Sequence, residues 1–222
     1  MKLKTVTFLM AAGLCGSVFA QDQWYLNADA GRSDFHLNTG GVGQLGNPTG
    51  IPSTGVILSS DKKDSTFGLH GGYRLNSNFA IEAGYSDLGS ASFNGARSIV
   101  CAPGNACPAI ALPPYSGTLK ATSWDAAFVG RYGLDSNGSL YGKAGVSALK
   151  MKTSMSYVSS VTQPTSNSRT STVPMLGAGL AYQFTPTVSM QLEWNRHFNG
   201  SSDANNGKAD IDAYTLGVSY HF

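Results

Sequence analysis

From Trp24 to Phe222 the chain alternates apolar and polar residues with a period of two, in segments of about ten residues. Such a period sends successive side chains to opposite faces and therefore specifies β-strands. The segment Phe67, Leu69, Gly71, Tyr73, Leu75 shows one face against Gly68, His70, Gly72 and Arg74 on the other. The same split recurs with Phe79, Ile81, Ala83 and Tyr85 against Glu82, Gly84 and Ser86. Trp124, Ala126, Phe128 and Tyr132 oppose Asp125 and Arg131, and Val188, Met190, Leu192 and Trp194 oppose Ser189, Gln191, Glu193 and Asn195. Tyr214, Leu216, Val218, Tyr220 and Phe222 close the pattern.

Eight strands result, at about 23–32, 65–75, 79–90, 118–134, 139–153, 172–184, 187–197 and 211–222. Tight turns follow the second, fourth and sixth (Asn76 to Asn78, Asp135 to Gly138, Thr185-Pro186), and long Gly-, Ser-, Asn- and Pro-rich segments follow the first, third, fifth and seventh. Which face is wet decides the class. The polar face is short of bulky apolar groups and carries Asp29, Arg74, Glu82, Asp125, Arg131, Lys143 and Glu193, whereas the other face would expose an apolar band around the whole molecule. With 13% charged residues against the quarter usual in soluble domains, the apolar face belongs outward, in lipid. The fold class is all-β, an eight-stranded antiparallel up-and-down transmembrane β-barrel with short turns at one end and long loops at the other. Trp24, Tyr73, Tyr85, Tyr132, Tyr182, Trp194 and Tyr220 suit interfacial girdles.

Ahead of the barrel, residues 1–20 read as a secretory signal: Lys2 and Lys4, an apolar stretch from Val6 to Leu14, and small residues before a cleavage point after Ala20. The remaining chain holds 13 basic and 13 acidic residues, which gives no electrostatic case for nucleic acid. Cys101 and Cys107 form an even pair around a turn-forming segment, expected to be a disulfide in an oxidising compartment. No metal or cofactor is expected, since two cysteines without a nearby histidine make at most half a zinc site. Among the histidines, His36, His70, His197 and His221, none pairs with an acid and a serine at a recognisable sequence spacing, so no catalytic site is expected.

The chain resembles the transmembrane domain of the outer membrane protein A family. The resemblance rests on Trp24-Tyr25, the run from Glu82 to Gly89, the run from Gly177 to Tyr182 with Thr185-Pro186 behind it, Leu192-Glu193-Trp194, and the closing run from Gly217 to Phe222. It implies an outer-membrane location in a Gram-negative bacterium. It also makes Tyr220 and Phe222 a signal for the barrel assembly machinery, and Glu82, Lys143 and Glu193 members of a luminal salt-bridge network. Where the family carries lysines, this chain has Asp29 and Val129, with Arg74 and Arg131 near enough in sequence to rebalance the charge. No periplasmic peptidoglycan-binding domain follows Phe222 in this sequence, so cell-wall tethering is not carried over.

The function expected is that of a structural and interaction protein with a largely plugged polar lumen and four exposed loops. Its expected partners are outer-membrane lipid and lipopolysaccharide, and host or surface ligands through the loops, with the barrel a monomer. A small-solute or ion pore is the alternative reading, and a lipid-modifying enzyme a more distant one. A cation at outward Leu192 is expected to be costly, and one at luminal Gln191 to be tolerated.

Overall fold

The computed structural model describes residues 23–37, 53–99, 111–157, 165–201 and 208–222. The proposed signal and the Cys101–Cys107 pair lie outside them. The described strands are β1 (Trp24–Leu37), β2 (Ser53–Asp61), β3 (Lys63–Arg74), β4 (Phe79–Ile99), β5 (Ala111–Gly133), β6 (Gly138–Tyr157), β7 (Thr165–Thr185), β8 (Val188–Ser201) and β9 (Lys208–His221). β2 and β3 are one stave interrupted at Lys62: both pair with β4, and only β3 reaches β1. All ladders are antiparallel, and the β4–β5 and β1–β9 ladders close the sheet, giving an eight-staved barrel without a membrane-level edge.

The staves are unequal in height. β1, β8 and β9 run for 14 residues each, while β4 to β7 run for 20 to 23. A spanning strand needs about 9–11 residues. The taller staves therefore rise roughly 20–30 Å farther along the strand direction, at about 3.3 Å per residue. Much of what the sequence reading assigned to loops is thus ladder, continuing to Ser98↔Ala111 between β4 and β5 and to Met155↔Thr165 between β6 and β7. Alternation of polar residues alone carries no burial signal, so these polar extensions read as loops in sequence. Pro174 marks where β7 leaves β8: their ladder stops at Met175↔His197, and a residue without an N–H cannot continue it on that side.

Inside and outside follow the sequence parity. Outward Leu192, Leu216, Val218, Leu180 and Phe67 are each at least half exposed, while inward Glu82, Lys143, Gln191 and Glu193 are buried. Aromatic pairs sit toward both margins of the apolar wall, Trp24 with Tyr73 (ring centroids 4.9 Å apart) at the turn end and Tyr85 with Trp124 (5.2 Å) at the loop end.

One expectation fails here. The inward face is not polar throughout: toward the loop end Phe35, Leu88, Leu119, Leu149, Met151 and Ile211 form a buried apolar cluster. Leu88 enters it through a β-bulge, where the β4–β5 register shifts between Asp87 and Gly89 and Gly89 takes φ +78°. Only Phe35 lies beyond the strand bounds expected from sequence; the others sit inside them, where the alternation was taken as apolar-outward throughout. Close packing of the staves sets a second demand for glycine. A Cβ at Gly145 would lie 2.1 Å from the carbonyl oxygen of Ala126 on β5. Gly145→Ala is expected to lower unfolding resistance in lipid vesicles by about 1–3 kcal/mol, as overpacking does, with Gly71→Ala, whose Cβ meets nothing within 4 Å, near wild type.

Candidate functional site

The lumen is layered from the turn end upward. Lowest lie Arg74 and His221, with Arg74 Nη2 3.2 Å from His221 Nδ1, whose Nε2 is 2.9 Å from the Ser189 hydroxyl. Arg131 sits over the ring of inward-facing Tyr141, 5.7 Å from its centroid.

Above them Lys143 on β6 reaches across the barrel. Its Nζ lies 2.5 Å from Glu82 Oε1 on β4 and 2.7 Å from Glu193 Oε2 on β8. The phenol of Tyr25 donates to Glu82 at 3.0 Å, that of Tyr141 to Glu193 at 2.7 Å, and the Asn195 amide also donates to Glu193. Each carboxylate thus receives a cation and a neutral donor. This satisfaction is what a buried charge requires in place of water.

The next layer joins two Asp–His pairs. His70 Nδ1 lies 3.1 Å from Asp29 Oδ2 and its Nε2 lies 3.3 Å from the Ser86 hydroxyl. His197 Nε2 lies 3.3 Å from Asp125 Oδ1, and Ser86 and Ser123 can donate to Asp125 Oδ2 at 3.3 and 2.9 Å. Above this belt comes the apolar cluster, with Ser33 donating to the Leu88 carbonyl just beneath the bulge.

All seven charges singled out in the sequence face the lumen, but in separate groups. Glu82, Lys143 and Glu193 meet; Asp29 and Asp125 pair with histidines; Arg74 and Arg131 stand at the turn end. Tyr25, Tyr141, Ser86, His70, His197 and Asn195 join them as partners; inward parity puts each on the luminal face, and for all but Asn195, which shares β8 with Glu193, only the stave order and register bring it to its charge. Tyr220 and Phe222 point outward at the turn end, in edge contact at 5.0 Å, and the Phe222 amide donates to the Trp24 carbonyl.

No histidine shares a recognisable sequence spacing with an acid and a serine, yet the fold joins one such set in space. Ser86, His70 and Asp29 form such a relay because β4, β3 and β1 are consecutive staves, a juxtaposition that sequence spacing does not display. Its surroundings do not suit acyl transfer. Ser86 and His70 lie mid-strand, with their backbone groups in the β3–β4 and β4–β5 ladders, so no amides are aimed at a developing oxyanion. The adjoining cavity, bordered by His70, Glu82, Asp125, Lys143, Glu193 and Asn195, measures about 10 Å³, room for about one water. Among the described residues no group of three or more His, Cys, Asp or Glu is arranged to hold a metal ion.

A family model, the OmpA-like transmembrane domain, matches residues 19–222, the whole of the barrel described above. The chain belongs to the OmpA-like transmembrane domain family. Membership places this OmpA-like barrel in the outer membrane of a Gram-negative bacterium. Solved structures of similar fold include Neisserial surface protein A, at 16% identity and TM-score 0.55, covering 92% of this chain and all of that one. The outer membrane protease OmpT from Escherichia coli is 12% identical with TM-score 0.51, over 94% of this chain and 99% of that one. Ail, the attachment invasion locus protein of Yersinia pestis, is 17% identical with TM-score 0.49, over 91% and 100%. These likenesses concern the fold alone. No curated protein matches the OmpA-like chain in sequence.

Proposed function

We propose that the protein is a structural and interaction barrel, closed along its axis by its own side chains, that works through the surface it presents at the loop end. The observation that carries this reading is the double bridge of Lys143 to Glu82 and Glu193 beneath the apolar cluster of Phe35, Leu88, Leu149, Met151 and Ile211. Eight staves enclose a space just wide enough for side chains to fill. Here it is crossed by a charged layer and then by an apolar one. An ion entering from either end would have to displace a satisfied ion pair or shed its water among methyl groups. The Ser86–His70–Asp29 relay lacks both an oxyanion site and room for an ester, which disfavours an enzyme and suits a structural role for the relay in fixing β1, β3 and β4. A monomer assembled through the outward Tyr220 and Phe222 belongs to the same proposal.

Planar-bilayer recording on the purified, folded barrel, checked for a gel-mobility shift on boiling, tests it. Brief, small, infrequent conductance steps are the expected result. Long-lived open channels of uniform size in the wild-type protein would overturn the closed reading and put an ion pore in its place.

A further inference from the structure

Around the loop-side margin of the apolar wall three outward cations have a carboxylate to hand, while Arg32 on β1 has none within 4 Å among the described residues. Arg196 lies 3.1 Å from Asp210 and 3.7 Å from Asp212, Lys63 lies 3.8 Å from Asp34, and Lys120 lies 3.1 Å from Asp87. Lys150 and Lys152, like Arg32, stand without one. Both are exposed on the outer face of β6, and no carboxylate among the described residues lies within 4 Å of either. β6 and β7 contain no Asp or Glu anywhere along their lengths. The ladder register sets Lys152 directly opposite Lys120 on β5. Like charges facing each other across a ladder destabilise a sheet, so this corner of the wall gains from an anion that the described chain does not itself supply.

Its height says where the anion would come from. Along β6 the outward residues are Leu140, Gly142, Ala144, Val146 and Ala148, and then Lys150 and Lys152. The lysines stand immediately above the apolar band, at the level of lipid headgroups. Beside them the outward positions Thr118, Ser154, Ser168 and Thr170 are hydroxyls, all exposed. Below them Ala126, Ala144, Val146 and Ala148 make a low apolar wall of small side chains.

We propose that Lys120, Lys150 and Lys152 form a docking site for the phosphorylated glycolipid of the outer leaflet, lysines on the phosphates, hydroxyls on the sugar, and acyl chains on the β5–β6–β7 wall beneath. Adjacent strands are about 4.8 Å apart. Lys152 stands across from Lys120, which also keeps its contact with Asp87, and Lys150 lies about 6.6 Å along β6, so the three flexible ammonium groups can share two phosphates on one sugar unit. The site goes beyond the closed-lumen reading and does not depend on it, since every residue concerned is on the outside.

The test uses the full refolded chain in nanodiscs of zwitterionic phospholipid, titrated with purified lipid A and read by native mass spectrometry. Wild type is expected to retain lipid A, and Lys150→Glu/Lys152→Glu to retain it at least about tenfold more weakly, in line with the attraction of surface lysines to anionic lipid. Lys63→Gln, across the barrel, is expected to match wild type. If the reversed pair does not fold to the heat-modifiable form, Lys150→Gln/Lys152→Gln takes its place. Equal retention by wild type and variant overturns the proposal. So does equal retention of dephosphorylated lipid A, which would mean acyl packing alone. Equal retention of phosphatidylglycerol would mean an unselective anionic contact, and binding of a soluble sulfated polysaccharide but not of lipid A would mean a polyanion receptor; each overturns it too.

Discussion

Lys143→Ala is expected to lower the barrel's resistance to unfolding by about 3–5 kcal/mol, the cost of breaking a buried ion pair from one side. Glu82 and Glu193 both lie against this one ammonium. Without it, two carboxylates on opposite staves face each other with only the Tyr25, Tyr141 and Asn195 donors to hold them. Denaturant titration in lipid vesicles reads the loss. The design that separates lost charge from lost packing is Lys143→Met with Glu82→Gln and Glu193→Gln, which removes all three charges while nearly keeping volume. Most of the stability is expected to return in that triple variant, because a neutral, hydrogen-bonded layer carries no uncompensated charge. Unchanged stability in Lys143→Ala would mean that water already solvates the two glutamates.

The second large effect lies on the opposite face of the wall. Leu192 is 57% exposed and stands in one register row with Leu180 on β7 and Leu216 on β9. In a membrane barrel that row faces hydrocarbon, and Leu192→Arg is expected to cost about 2–4 kcal/mol if the row is near the midplane. Gln191, its neighbour in sequence, is 5% exposed, and its side-chain nitrogen finds no partner. Gln191→Leu removes an unpaired buried amide at similar volume, so its expected effect stays within about 1 kcal/mol of wild type. Refolding both variants into the same vesicles and comparing denaturation midpoints decides between the faces. Equal losses would reverse the assignment of inside and outside.

The contrast at residues 191 and 192 also shows what the sequence could and could not reveal. Which face Gln191 occupies was readable from the alternation of Ser189, Gln191, Glu193 and Asn195 against their apolar neighbours. How much room it has was not. Gln191 is 5% exposed, so an arginine there, expected from the alternation to be tolerated, has to fit among buried inward side chains. Parity likewise placed Glu82, Lys143 and Glu193 on one interior surface, and their mutual contact depends only on the barrel being narrow. The Ser86–His70–Asp29 relay needed the stave order and the vertical offset of three ladders, neither of which is written in any local pattern. The apolar cluster escaped for a different reason. Phe35, Leu149 and Met151 lie in the loop-side parts of their strands, where outward neighbours such as Asp34, Lys150 and Lys152 are polar, so the usual sign of burial is restored there while the inverted one was expected throughout. A bulge adds to this at Leu88, where one extra residue shifts the phase of the alternation.

The uneven wall has a consequence for the company this protein keeps. On the β1, β8 and β9 flank the described staves end after 14 residues, and on the β4 to β7 flank they continue for 20 or more. Viewed from outside the cell such a molecule is anisotropic. The strand wall itself is thus taller on one flank than on the other, and a neighbouring membrane protein that packs against strands has more surface to meet on the β4 to β7 side.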